Sequence, residues 1–190
     1  MRSAARPRRE HRTEGEDREA HDHRAQAAAF DALYETYAVR IYGFLYRLSG
    51  RRDLADDLSQ EHWLRVARHA GTLREDTDLA AWLFTIARNL YRGHQRYPIF
   101  DRLKRRDAIE LDHPPAPTPE DDAGARQALA RLDRALARLP EAHREILLLV
   151  GREGLEPSRA TEVLRIRPGA ARQRLTRART ELAAAMERDA

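Results

Sequence analysis

Apolar side chains along most of the chain recur three and four residues apart, the interval that gathers them on one face of an α-helix. Phe30, Leu33, Tyr34, Tyr37, Ile41, Phe44, Leu45 and Leu48 form the first such stripe, and Ser49-Gly50 ends it. A second helix is predicted from Asp53 to about His69, with Asp53 at its N-cap. After the loop "AGTLREDTD", the stretch "LAAWLFTIARNLYRGHQR" predicts a third helix that stops before Pro98, because a proline ring clashes with a helical residue ahead of it. The periodicity then lapses. "LDHPPAPTPEDDAG" holds four prolines in six residues, followed by acids, and reads as a partly extended linker. Beyond it the helical spacing returns as four short helices, broken at Pro140, at Gly151 to Gly154 and at Arg165 to Pro168.

The fold class expected is therefore all-α: two small helical bundles, over residues 26–97 and 128–188, joined by a flexible Pro- and acid-rich linker over 98–127. Composition agrees, since charged residues make up 35% of the chain and aromatic ones only 6%, which disfavours a large sheet core. After Met1, residues 1–25 carry no large apolar side chain to repay the entropy of ordering, so a disordered tail is expected there. The absence of cysteine excludes a disulfide framework and thiolate chemistry, and it fits a reducing cytoplasm. No run approaches the ~18 apolar residues of a membrane span, and the charged N-terminus leads into no apolar segment. The reading is a cytoplasmic protein without membrane insertion. His21 to His23, "HDH", has no second ligand cluster at zinc spacing, so it reads as solvated chain and no metal site is expected.

Charge sharpens the picture through its distribution. The formal net charge is only +4, yet residues 128–190 hold 13 basic against 9 acidic residues, and from Val163 to Thr180 there are six arginines and no acid. On a helix starting at Pro168, Ala171, Leu175, Ala178 and Leu182 cluster within an arc of ~60° and form a packing stripe. Gln173, Thr176 and Thr180 lie opposite, flanked by Arg172 and Arg179 on one side and by Arg174 and Arg177 on the other. A solvated face normally mixes signs for i,i+4 pairing, whereas these arginines repel one another unless a polyanion is present. Two cationic rails beside a polar strip suit a helix lying in the major groove, the rails meeting phosphates and the strip meeting base edges. "SRATEVL", a tight turn and this helix together have the form of a helix-turn-helix.

The helix "RDLADDLSQEHWLRVARHAG" has the complementary character. Asp57, Gln60, Glu61, Leu64 and Arg68 share one face, and Leu54, Ala55, Leu58, His62 and Val66 share another. An aliphatic side chain set among carboxylates and an amide points to a protein contact. Asp56 and Asp57 project ~100° apart and so do not form a paired acid/base site.

"LADDLSQEHWLRV" followed by "LAAWLFTIARNL", and "LARLPEAHREILLL" followed by "EGLEPSRATEVLRIRPGAARQRLTRAR", resemble the two conserved regions of an extracytoplasmic-function sigma factor, a small two-domain bacterial RNA polymerase initiation factor of the sigma-70 family. The resemblance covers residues ~27–97 and ~128–185, in the right order and with the right linker. It implies that Asp57, Gln60, Glu61 and Leu64 dock on the clamp helices of the polymerase largest subunit. It implies minus-10 promoter contacts by the loop from Ala70 to Leu79 and by Arg88, Asn89 and Arg92, through readout of an unstacked base. Trp82 and Phe84 in the same helix read as core rather than base platforms. For the minus-35 element the implied residues are Arg167, Arg172, Gln173, Arg174, Thr176 and Arg177. The partners implied are core RNA polymerase, promoter DNA and the anti-sigma factor that the class often has. Some residues depart from the pattern: Arg165 stands where the class has Gly at the turn, Ala160 where it has a large aliphatic, Thr161 where it has Ala, Ala171 where it has Val, and Gly93 where an acid is common.

A helix-turn-helix regulator that acts without polymerase is the alternative. It accounts for residues 140–188 but leaves the Asp57 face and the Asn89 helix without a role. Catalysis has no foothold: there is no Gly-rich phosphate loop, no His/Glu metal spacing and no nucleophile elbow, so neither an enzymatic activity nor a cofactor is expected.

Overall fold

The computed structural model of the chain describes residues 10–74, 76–96 and 123–188. They form α1 (Glu10–Ser49), α2 (Arg52–His69), a 3-10 turn (Ala70–Thr72), α3 (Leu79–Arg96), α4 (Ala123–Arg138), α5 (Glu141–Leu147) with a π-helical turn (Leu148–Arg152), α6 (Pro157–Leu164) and α7 (Pro168–Glu187). No strand occurs among the described residues. The linker expected over 98–127 falls outside them up to residue 122, and its last residues already belong to α4. Of the tail expected over residues 1–25, residues 1–9 lie outside the described residues and residues 10–25 continue α1. After Pro7 the sequence there has no helix breaker other than Gly15, and extending a helix already nucleated downstream costs far less than starting one.

Two compact units divide within α1, one up to Thr36 and the other from Tyr37 onward. In the first, the rings of Phe30 and Tyr34 stack 6.4 Å apart, and the Thr36 hydroxyl donates to the Ala32 carbonyl at 2.8 Å. The second unit has a core built from Ile41, Phe44, Leu45 and Leu48 of α1, Leu58, Trp63 and Val66 of α2, and Leu83, Phe84 and Ala87 of α3, all nearly inaccessible. Phe44 and Phe84 meet edge to face at 5.2 Å, and the Tyr91 hydroxyl donates to the Leu48 carbonyl at 3.0 Å, tying α3 to α1. In the same unit α7 packs on α4, α5 and α6, and α6 packs on α3, so the helices after the linker rest directly on those before it.

Local chemistry explains the boundaries. Gly50, at φ +66°, ends α1 with its N–H on the Tyr46 carbonyl. Arg51, without a side-chain cap, precedes α2, and Asp53 sits in the first turn paired with Arg51; the N-cap expected at Asp53 thus falls two residues earlier. Its carboxylate still opposes the positive end of the helix dipole from there. Asp78 caps α3, its Oδ1 accepting from the Ala81 N–H at 2.9 Å. Pro157 and Pro168 open α6 and α7 at positions where a missing N–H costs nothing.

Between α6 and α7, Arg165 adopts φ 52°, ψ 49°. Its N–H bonds the Glu162 carbonyl at 3.2 Å, and the Ile166 N–H bonds the Thr161 carbonyl at 3.1 Å, the paired bonds of a Schellman ending that normally uses glycine. A Cβ in this conformation costs about 1–2 kcal/mol. Arg165→Gly relieves that strain and gives back part of it as unfolded-chain entropy, so thermal unfolding should show a net gain of about 0.5–1 kcal/mol, a Tm rise of roughly 1–4 °C.

His62 is fully buried, edge to face against Trp63 at 5.0 Å, with no hydrogen-bond partner at either ring nitrogen. Burial, with a smaller contribution from the nearby Arg65 charge, lowers its pKa from 6.5 to about 3. The folded state thus keeps His62 neutral while the unfolded chain takes up a proton below its ordinary pKa. Stability contributed by this group is complete above pH 6.5 and is lost as pH falls from there towards 3. In that window His62→Leu should reduce the pH slope of unfolding free energy, measured by denaturant titration, by up to about 1.4 kcal/mol per pH unit.

Candidate polymerase and nucleic-acid interfaces

Three helical surfaces carry the residues singled out from the sequence. On α7, Ala171, Ala178 and Ala185 are buried, Leu175 and Leu182 are half-buried, and Arg172, Gln173, Thr176, Arg177, Arg179 and Thr180 are exposed. The polar strip and its flanking arginines therefore share the solvent face, with Arg167 exposed just ahead of the helix and Arg174 half-buried at its margin. The Thr176 and Thr180 hydroxyls donate to the carbonyls of Arg172 and Thr176 at 3.1 and 3.2 Å, which fixes their rotamers and leaves lone pairs outward. Gln173 is exposed and free to present both amide functions.

Behind this face lies a groove of about 460 Å³ lined by Ile146, Val150, Pro157, Pro168, Ala171 and Leu175. Ala171, small where the class has Val, contributes to that space. Ala160 is only 1% exposed, so the second small residue leaves no opening to solvent at its own position.

On α2 the two faces separate as the spacing predicts. Leu54, Ala55, Leu58, His62 and Val66 are buried, and Ser59 and Trp63 join them. Asp57, Gln60, Glu61 and Leu64 are half-buried along one side, with Arg68 exposed. Arg65 reaches back to Glu61 at 2.8 Å, an i,i+4 pair that holds one carboxylate of the surface in place.

On α3 the three residues implied for minus-10 contact have different surroundings. Asn89 is exposed and Arg92 half-buried, but Arg88 is buried at 3% side-chain exposure. Its Nε and Nη2 donate to the two carboxylate oxygens of Glu145 at 2.9 and 3.3 Å, and its Nη1 donates to the Val163 carbonyl at 3.1 Å. Arg92 approaches the same Glu145 at 3.3 Å. Phe84 is buried as expected, while Trp82 is half-buried. Glu145 itself was not singled out from the sequence. The available signal was an acid embedded in the apolar run "EILLLV", where burial demands a cationic partner.

Among the described residues no group of His, Asp and Glu could hold a metal ion, and no helix is long and apolar enough to cross a membrane.

The Sigma-70 region 2 family matches residues 33–97, and the Sigma-70 region 4 family matches residues 129–182. The chain is 36% identical over 143 residues to the ECF RNA polymerase sigma factor EcfG of Rhodopseudomonas palustris, covering 74% of this chain and 76% of that one. It is 35% identical over 152 residues to the RNA polymerase sigma factor CarQ of Myxococcus xanthus, covering 78% and 84%. The ECF sigma factor BldN of Streptomyces coelicolor is longer: 34% identity over 171 residues spans 87% of this chain but 63% of BldN. The fold is similar to that of the sigma factor RpoE solved with the anti-sigma factor NepR from Bartonella quintana, with a TM-score of 0.65, 24% identity, and 85% and 99% of the two chains covered. It is likewise similar to CnrH solved with the cytosolic domain of CnrY, with a TM-score of 0.64, 23% identity, and 86% and 91% covered. The end of α1 with α2 and α3, and the α4–α7 helices, thus carry the region 2 and region 4 matches, and the chain belongs to the ECF RNA polymerase sigma factors, transcription-initiation factors that bind core polymerase and recognise promoters.

Proposed function

We propose a division of this initiation function among the three surfaces. The half-buried face of α2, Asp57, Gln60, Glu61 and Leu64, docks on core RNA polymerase. The region from Ala70 through α3, with Arg88, Asn89 and Arg92, engages the minus-10 element. The solvent face of α7, with Arg167, Arg172, Gln173, Arg174, Thr176 and Arg177, lies in the major groove of the minus-35 element. The observation that carries this reading is the α7 surface, where an acid-free set of arginines brackets an exposed Gln173/Thr176/Thr180 strip. Free charges of one sign on one helix face repel, and phosphates relieve that repulsion while the strip reads base edges. The chain acts by binding, without covalent chemistry or a cofactor, and works in the cytoplasm. The relatives solved with NepR and CnrY support an anti-sigma factor as a further partner.

Co-elution with core polymerase tests the α2 assignment: Asp57→Arg combined with Gln60→Ala abolishes it, and retained co-elution removes this surface from the reading. For α7, Gln173→Ala should alter preference by about 1–3 kcal/mol at one base position. Arg177→Ala should instead weaken binding to all sequences and lower the salt slope by about 0.9. Binding isotherms on a set of single-base minus-35 variants at several salt concentrations separate the two, and equal effects on every sequence argue against this division.

A further inference from the structure

The groove of about 460 Å³ behind the exposed face of α7 is the right size for a small ligand. Ile146 and Val150 line it from α5 and its π-helical turn, Pro157 and Thr161 from α6, and Ala171 and Leu175 from α7. Ala171, 4% exposed, stands where the class has Val, so two methyl groups that would enter this space are missing. The Thr161 hydroxyl is spent on the Ser158 carbonyl at 2.5 Å and makes no demand for a polar partner inside.

Shape and charge narrow the occupant. The lining extends about 6 Å along α5 and its turn, about 7 Å along α6 and about 10 Å along α7, from Pro168 to Leu175. A docked amphipathic helix or a long acyl chain needs a trough with anchors recurring over two turns or more, whereas this space is nearly as wide as it is long. Two charged side chains stand at its rim, Glu162 and Arg172. Glu162 is already neutralised by Arg159, which donates to its two oxygens at 3.2 and 3.4 Å. The exposed Arg172 side chain makes no hydrogen bond or ion pair among the described residues. An apolar body with one anionic group therefore meets both halves of the site, and a carboxylate matches the N–H fork of a guanidinium.

We propose that this groove binds a compact aromatic carboxylate of one or two fused rings, with the rings on Ile146, Val150, Ala171 and Leu175 and the carboxylate on Arg172. Bound there, the ligand takes from α7 one of the guanidinium groups that bracket its polar strip, and so weakens minus-35 binding. This effect on DNA rests on the assignment of α7 to the minus-35 element; the ligand site itself does not. Because Arg172 serves either the ligand carboxylate or a phosphate, ligand and promoter compete for one side chain while Gln173 and Thr176 stay exposed.

The test titrates the full chain, labelled with 13C at its methyl groups, with 2-naphthoate. The methyl signals of Ile146, Val150 and Leu175 should shift together with a Kd below about 1 mM, the affinity ordinary for a ligand of that size. Ala171→Leu fills the floor of the groove and should weaken binding at least tenfold. Arg172→Gln should weaken 2-naphthoate about tenfold and leave the neutral 2-naphthylmethanol unaffected. No shift at these methyls, or undiminished binding in Ala171→Leu, overturns the site. If that variant no longer unfolds cooperatively, Val150→Phe closes the groove from the opposite wall, and native binding there overturns the site as well. Equal loss of the acid and the alcohol in Arg172→Gln overturns the carboxylate anchor. On a minus-35 duplex, saturating 2-naphthoate should weaken binding about tenfold and lower the salt slope by about 0.9, as Arg172→Gln does without ligand. In Ala171→Leu the ligand should leave duplex binding unchanged. If Arg172→Gln weakens the duplex and bound ligand does not, the competition is overturned. If neither does, the minus-35 assignment of Arg172 fails, while the methyl shifts judge the ligand site separately.

Discussion

A guanidinium and a carboxylate, both withdrawn from water, meet where α3 passes α5 and α6. Arg88 and Glu145 are exposed by 3% and 0%, and neither tolerates burial without the other. Hydrogen bonding at this point is complete: Glu145 takes two nitrogens of Arg88, and the Val163 carbonyl takes the third. The remaining geometry follows from that requirement. To satisfy it, α3 must present Arg88 toward α5 and lie against the end of α6, which aligns the lesser pairs of Arg40, Arg47 and Arg92 with acids of the C-terminal helices. Residues separated by a long linker thereby become parts of one compact unit.

The same contact bears on function in a way that helical surfaces taken singly do not. On α7 the arginine-flanked strip is open to solvent, as a groove-reading helix needs to be. On α3 only Asn89 of the three implied residues is exposed, and Arg88 is spoken for. The two surfaces proposed to meet DNA thus differ in readiness, one open and one partly held within the protein.

Much of this was legible from spacing. The buried and half-buried sides of α2 separate where the helical period places them, and the outward strip of α7 contains the residues the wheel assigns to it. The breaks at Pro140, around Gly154 and at Arg165 fall where the elements end, because proline and left-handed backbone act within a turn of the helix. Arg165 even occupies the strained conformation its glycine-like position suggested. Less legible were features that depend on cooperation between neighbouring turns. The helix α1 extends back through residues expected as a tail, because helix extension depends on what has already nucleated rather than on burial of each residue. The start of α2 lies ahead of Asp53, since a carboxylate in the first turn serves the dipole as well as one at the cap.

The sequence by itself determined most of the helices, their inward and outward faces, the order of the two regions and the family to which they belong, because each of these is written in intervals of three or four residues or in short contiguous motifs. Tertiary structure alone decided where Arg88 goes. Its partner lies 57 residues away, and the periodicity of α3 can say only that the side chain is on a given face, not that a buried acid waits there. Long-range ion pairing depends on how whole helices dock, and docking is settled by the desolvation cost of every charged group at the contact at once, a sum that no local pattern contains.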